Sequence, residues 1–273
     1  MNYRHSFHAG NFADLVKHAL FLWLLKERQA KGPVTVLDTH AGGGLYDLSG
    51  DAVRSKEAEA GVARLMTADN CPPLIDTLKA EVKAMNPQGG VRFYPGSPLL
   101  IARNLAKDDA YRGFEMNPPV KIMLDEALAD FGQAAGQEGD GYDLARAAAR
   151  GVKSPLILID PPFEKPDDYV RCAETTAALI KADPTACVAI WTPLKDMETF
   201  DGFIRRLEDA RLSRVVVAEA RMRPLTNPMK MNGCTMTVVN APSGTDAAAA
   251  EICGWVTANL GDEGGRTEIW RAG

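Results

Sequence analysis

Four apolar residues, Leu156-Ile157-Leu158-Ile159, run without a break into Asp160-Pro161-Pro162-Phe163. An apolar run of this length, bounded by turn residues, predicts a strand buried on both faces, as in the parallel sheets of α/β proteins. The prolines end it abruptly, because proline donates no ladder hydrogen bond and drives the residue before it out of the helical region. The chain therefore leaves the sheet at Asp160, carrying a carboxylate, a proline carbonyl and an aromatic ring to the carboxyl end of a central strand. In open α/β sheets that edge binds ligands. A plain strand-ending turn would read the same as far as Pro162, so the remaining chain has to decide between them.

A second buried strand, Val34-Thr35-Val36-Leu37-Asp38, leads straight into Thr39-His40-Ala41-Gly42-Gly43-Gly44. Strand, acid and glycine cluster make the first turn of a Rossmann-like nucleotide site, where glycine lets backbone and ligand approach closely. A G-x-G-x-x-G fingerprint is absent, which argues against NAD or FAD. No strand follows at once. Residues 55–66 and Pro73 to Met85 carry helical patterns instead, the second with Leu74, Ile75, Leu78 and Val82 on one face, so residues 50–92 read as a helical insertion. Val91 to Pro98 is a short extended piece whose Ser97 is expected to cap a helix to Leu105. The displaced second strand is Tyr111 to Pro118, and its Glu115 is the expected ligand of a ribose hydroxyl.

Further on, a helix closes over Ala127 to Phe131, and a loop from Glu138 to Tyr142 opens a helix from Leu144 to Arg150. Asp140 there is either an N-cap or a partner for an adenine amine, with Tyr142 packing on the ring. Tyr169 to Lys181 and Asp196 to Ala210 predict helices and Ala186 to Trp191 a buried strand. Val215 to Ala220 and Met236 to Val239 are strands flanking a long irregular loop, Pro224 to Gly233, and loops of that length are often functional. A helix from Ala247 to Leu260 and a strand from Arg266 to Trp270 complete the chain. The alternation gives a doubly wound, mostly parallel α/β sheet in one domain over residues 1–273: an N-terminal tail and helix to 31, the insertion, and a Rossmann-like core.

The 273 residues, 46% hydrophobic, suffice for one large core, and no run approaches a membrane span or a signal peptide. The chain is therefore expected in the cytoplasm, with no membrane contact and no obligate protein partner. Five scattered cysteines with no C-x-x-C pair indicate neither a zinc site nor a disulfide framework. The net charge of −5 is uneven: residues 1–31 sum to +3, and Phe203 to Asn232 hold seven Lys/Arg against three acids. Such stretches are either solvated helix faces or phosphate-binding patches. Asn11 is the expected N-cap of a helix to Ala30, with Leu15, Ala19, Leu22 and Leu25 on its apolar face. All four histidines, His5, His8, His18 and His40, fall within the first 40 residues. They are read as closing over a ligand pocket; a metal site from His5, His8, His18 and Asp38 is the alternative.

The D-P-P-aromatic turn narrows the chemistry. The lone pair of a planar exocyclic amine is delocalised into its ring, so the amine is a poor nucleophile. Acceptors at the Asp160 carboxylate and the Pro161 carbonyl can hold both N–H groups and favour the pyramidal nitrogen that develops as a methyl group arrives. Phe163 can stack on the base.

Asp160-Pro161-Pro162-Phe163 matches the [DN]-P-P-[YFW] motif of amino-group methyltransferases. Together with Tyr3-Arg4-His5-Ser6-Phe7-His8-Ala9-Gly10-Asn11, Asp38-Thr39-His40-Ala41-Gly42 and Tyr94-Pro95-Gly96-Ser97-Pro98, it closely resembles the RlmJ family over nearly the whole chain. That family methylates N6 of an adenine, numbered 2030, in bacterial 23S ribosomal RNA. The resemblance implies a class I methyltransferase fold that uses S-adenosyl-L-methionine, with 23S rRNA as partner and no metal. It implies that His18, His40, Gly42, Ser97, Glu115, Asp140, Gly141 and Asp160 line the cofactor. Asp160, Pro161 and Phe163 act on the base, Tyr3, His5 and Lys17 match positions associated with activity, and the tail folds over the cofactor. Phe163 stands where tyrosine is more usual, which keeps the stacking face and drops a hydroxyl. DNA adenine and protein glutamine are the alternative substrates of the motif, and a metal-dependent hydrolase using the histidines is the reading from another class.

Overall fold

A computed structural model describes residues 8–49, 56–165 and 167–272. Its centre is an eight-stranded sheet in the order β10-β8-β9-β7-β6-β1-β4-β5. β1 (Thr35–Asp38), β4 (Ala110–Glu115), β5 (Ala134–Glu138), β6 (Leu156–Ile159) and β7 (Cys187–Leu194) run parallel. β8 (Val215–Arg221), β9 (Gly233–Val239) and β10 (Arg266–Ala272) close the other edge with antiparallel pairs. β2 (Leu45–Asp47) and β3 (Phe93–Pro95) form a separate antiparallel pair.

β1 lies between β4 and β6, so chain order reverses there and the helices that follow the two strands leave to opposite faces. That switch point opens a crevice beyond the strand ends. Both strands that flank it end on an acid: Asp38 closes β1 and Asp160 follows β6, with Asp38 in register with Leu158.

Alternation sorts the core into two layers. Val36, Leu156 and Leu158 face one cluster, and Leu37, Ile157 and Ile159 face the other. All four residues of β6 are fully buried, as the unbroken apolar run requires. Each such side chain contributes about 1.5–3 kcal/mol of burial. The second layer is covered by helices Gly141–Ala149, Asp168–Ala182 and Met197–Asp209. The first is covered by helix α1 (Phe12–Gln29), helix Thr245–Leu260 and the insertion.

Helix α1 starts where expected. Asn11 accepts hydrogen bonds from the Ala13 and Asp14 amides as its N-cap. Its burial is broader than a single face, because Ala13 to Leu22 are all buried between the sheet and the helices that cover it. The insertion supplies that cover: after a π-type turn, Glu59–Ala63, and a short helix, Arg64–Thr67, helix Pro73–Met85 lays Ile75, Leu78 and Val82 into the same cluster. Val62 donates its amide to the Gly10 carbonyl at 2.8 Å, and a Cβ on Gly61 would collide with that carbonyl. The insertion is thus seated on the segment leading into α1.

Three local expectations are corrected. Ala134–Glu138 is a strand, unread because Ala-Ala-Gly-Gln-Glu lacks β-branched and apolar alternation; as an edge strand it needs only β4. The helix read from Leu144 begins at Gly141, with Asp140 as its N-cap. Ser97 is the first residue of helix Ser97–Asn104 rather than its cap, and its hydroxyl donates to Asp38 instead. Among the described residues no helix is long and apolar enough to cross a membrane.

Candidate active site at the sheet switch point

A cavity of about 700 Å3 fills the crevice beyond β1, β4 and β6. Its walls come from the start of α1, the loops after those strands, the end of β7 and Met231 before β9. His18, His40, Gly42, Ser97, Glu115, Gly141, Lys17, Asp160, Pro161 and Phe163 all line it, so residues expected to act together converge from across the chain. Tyr3 and His5 lie outside the described residues.

At the β1 end, Gly42 and Gly44 adopt φ of +69° and +79°, which a side chain would strain. The Gly42 amide donates to one Glu115 oxygen at 3.1 Å, and the other accepts from Asn117 N at 2.8 Å. Glu115 is therefore clamped at the strand end with its carboxylate facing the glycine turn. Gly141 is needed for close packing, since a Cβ there would fall inside the Thr39 carbonyl.

Asp140 sits just behind the lining. Its carboxylate caps the helix through the Tyr142 and Asp143 amides and holds Arg171 at 2.8 Å. Arg171 in turn covers the buried Tyr142 ring at 4.2 Å, and His40 meets that ring edge-on at 4.7 Å. Burial pushes His40 down to about 3, so it serves as a neutral ring with Thr39 Oγ1 on its Nδ1. His18 is turned to Tyr94, with Nδ1 at 2.8 Å from the phenol. His8 bonds Glu57 across to the insertion at 2.9 Å. His8, His18 and His40 border the cavity, and among the described residues no group of three His, Cys, Asp or Glu could hold a metal ion.

Asp38 is fully buried at the end of β1, accepting from Ser97 Oγ at 2.7 Å and Tyr111 Oη at 3.1 Å. Burial lifts its carboxyl to about 6; the Ser97 hydroxyl opposes the rise and the nearby Asp160 charge adds to it. A carboxyl that holds its proton more tightly when folded contributes stability below its ordinary value of 3.8 and loses it as pH rises through 6. The stability difference between wild type and Asp38→Asn is therefore expected to shift against wild type by about 2 kcal/mol between about pH 4 and about pH 6. Urea unfolding of both proteins at several pH values measures it; a flat or rising difference contradicts the assignment.

The β6 end holds the other half of the site. Lys17, buried on α1, donates to Asp160 Oδ2 at 2.6 Å and pairs with Asp14 Oδ1 at 2.8 Å. Burial alone would push the Lys17 ammonium down, but the two carboxylates hold it well above its ordinary value. Asp14 also accepts the Gly10 amide at 2.9 Å, so the entry to α1 is tied through Lys17 to the D-P-P turn. Phe163 takes a left-handed φ of +50°, a conformation costing about 1 kcal/mol or more for a bulky residue. The turn aims its ring at Tyr169, 4.6 Å away, and Trp191, 5.8 Å away. An aromatic wall thus stands beside the Asp160 carboxylate.

Asp14, Tyr169, Arg171 and Trp191 were not singled out in the sequence. Asp14, Lys17 and His18 at i, i+3 and i+4 were the available sign, since that spacing puts three polar groups on one side of an otherwise apolar helix. The fold divides the basic stretch from Phe203 to Asn232: Arg205, Arg206 and Arg211 are exposed, and the others are tied to neighbours or lie on the β8–β9 loop. Arg221 is buried against Glu219 at 2.7 Å, Arg223 pairs with Asp262 at 2.8 Å, and Arg214 bonds Asn240 at the far end of β8. Lys230 is exposed on the β8–β9 loop, and outside that stretch the exposed Lys165 and Lys195 line the cavity.

The sequence model of a family described as "Ribosomal RNA large subunit methyltransferase D, RlmJ" matches residues 31–272. The chain is 32% identical to ribosomal RNA large subunit methyltransferase J of Escherichia coli, across 95% of this chain and 94% of that one. It is 30% identical to the protein of the same name from Haemophilus influenzae, across 97% and 95%. A crystal structure of a Legionella pneumophila protein superposes with a TM-score of 0.88 at 24% identity, covering 97% of this chain and 98% of that one, which supports the fold alone.

Proposed function

The chain belongs to the RlmJ family of ribosomal RNA large subunit methyltransferases, and from that membership we propose that it methylates the exocyclic N6 amine of an adenine in 23S rRNA. The observation that carries the choice of acceptor is Asp160: one oxygen is held by Lys17, and the other has no hydrogen-bond partner among the described residues, at the end of β6 facing the cavity. A fixed acceptor of this kind suits an amine that must be drawn out of conjugation.

The cavity fits S-adenosylmethionine. Gly42 and Gly44 keep the β1 turn free of side chains, and Glu115 presents a carboxylate where a ribose would be held. The aromatic and small residues around His40, Gly141 and Tyr142 border the region for an adenine ring. When bound, this cofactor supplies an electrophilic methyl group on a sulfonium. The protein's own part is orientation. Asp160 and the Pro161 carbonyl accept the two N6 hydrogens, and Phe163, braced by Tyr169 and Trp191, stacks on the base. The nitrogen lone pair is then directed into the cavity, and water is kept off by the buried Lys17 and Asp14 behind Asp160. Tyr3 and His5 belong to the same proposal as residues of the entering tail. Action on ribosomal RNA in the cytoplasm is part of this reading.

The test is to offer the purified protein labelled S-adenosylmethionine with 23S rRNA lacking its modifications, duplex DNA, or a glutamine-containing peptide. Label is expected in the RNA alone and should be recovered as N6-methyladenosine after digestion. Preferential labelling of DNA or peptide, or recovery as another nucleoside, contradicts the proposal.

A further inference from the structure

The loop joining β8 to β9 is built more firmly than its irregular sequence suggests. At its base the Met222 amide donates to the Asn232 carbonyl at 2.8 Å, and Arg223 pairs with Asp262 at 2.8 Å. Asn232, fully buried, reaches Lys195 O at 2.9 Å and Asn227 O at 2.8 Å, pinning the loop to the end of β7 and to its own tip. The tip is a tight turn: Asn227 receives the Met229 amide on its side chain at 3.0 Å and the Lys230 amide on its carbonyl at 3.1 Å. Two prolines, Pro224 and Pro228, stiffen it further. What this braced turn displays is Met229, 90% exposed and the most exposed large apolar side chain among the described residues. Two residues on, Met231 already lines the cavity, as does Lys195.

A site recessed behind Asp160 can act on a base in structured RNA only after that base has left its stack. Resting on the reading of the chain as an RNA adenine methyltransferase, we propose that the β8–β9 loop is a finger whose Met229 enters the RNA stack in place of the extruded adenine. Methionine suits the role because it is unbranched, polarizable and able to fill an irregular gap against bases. Lys230 and Lys195, both exposed beside the finger, hold the phosphates that flank the extruded nucleotide. A rigid finger reduces the ordering needed at binding, which is the physical use of the Asn232 brace.

The test uses the full-length protein, S-adenosylhomocysteine, and an RNA hairpin with 2-aminopurine at the target position, whose fluorescence rises when the base unstacks. Wild type is expected to raise the signal. Met229→Ala is expected to bind S-adenosylhomocysteine unchanged, lose most of the fluorescence rise, and methylate the adenine hairpin with kcat down about tenfold, while its rate on the same sequence as an unpaired strand stays near wild type. Met229→Leu is expected to restore most of both signals. Equal fluorescence and equal hairpin rates for Met229→Ala and wild type overturn the finger, as does an equal loss on hairpin and unpaired strand. A wild-type protein that methylates no RNA overturns the activity reading itself, so the two failures are distinct.

Discussion

Replacing Asp160 by alanine is expected to lower methyl transfer by about a thousandfold while leaving the fold intact and S-adenosylhomocysteine still bound. The side chain sits beyond the last residue of β6 with one oxygen on Lys17, so its removal takes away the acceptor for the amine without touching the buried Leu156–Ile159 strand. Asp160→Asn is the informative companion. It keeps a carbonyl acceptor and loses the charge, so it is expected to fall between wild type and alanine. The comparison is read from single-turnover transfer on unmodified rRNA, with thermal unfolding as the control. Near wild-type transfer by Asp160→Ala would place the acceptor elsewhere.

The second large effect is on Lys17. Its ammonium is buried between Asp14 at 2.8 Å and Asp160 at 2.6 Å, and removing one member of a buried charged group leaves the others uncompensated. Lys17→Met, close in length and uncharged, is expected to destabilise the protein by about 3–5 kcal/mol, because two carboxylates then face each other without a cation. In a chain of this size that lowers Tm by about 5–10 °C. Activity falls with it, since nothing fixes Asp160 against its turn. Adding Asp14→Asn to Lys17→Met is expected to restore part of the stability, giving a non-additive cycle of about 1–3 kcal/mol. Additive losses would mean that the three groups do not act as a unit.

Much of this site was legible because its parts lie at strand ends. The unbroken run Leu156 to Ile159 followed by two prolines could only be a buried strand stopping at Asp160, and Val34 to Asp38 before three glycines had the same clarity. Glu115 was found by asking where the second strand had gone once two helices stood in its place. The Lys17–Asp160 contact was not legible, as the two are 143 residues apart and a lysine on a helix is ordinarily a solvated one. Arg171 was hidden for the same reason: its helix reads as amphipathic, and only packing brings it over Tyr142. The basic stretch was legible only as a count, because charges summed along a chain do not say which partners sit across the sheet, as Glu219 does for Arg221. Ser97 misled because a serine at a helix start is usually a cap, and here Asp38 competes for its hydroxyl.

Methylation of N6 of one adenine in 23S rRNA is the proposed activity of this chain. It is tested most directly by mass-spectrometric mapping of 23S rRNA from cells with the gene, without it, and with Asp160→Ala restored in its place. A single N6-methyladenosine is expected in the first and is expected to be absent from the other two. A methylation pattern identical in all three, or a lost modification on another base or atom, would contradict it.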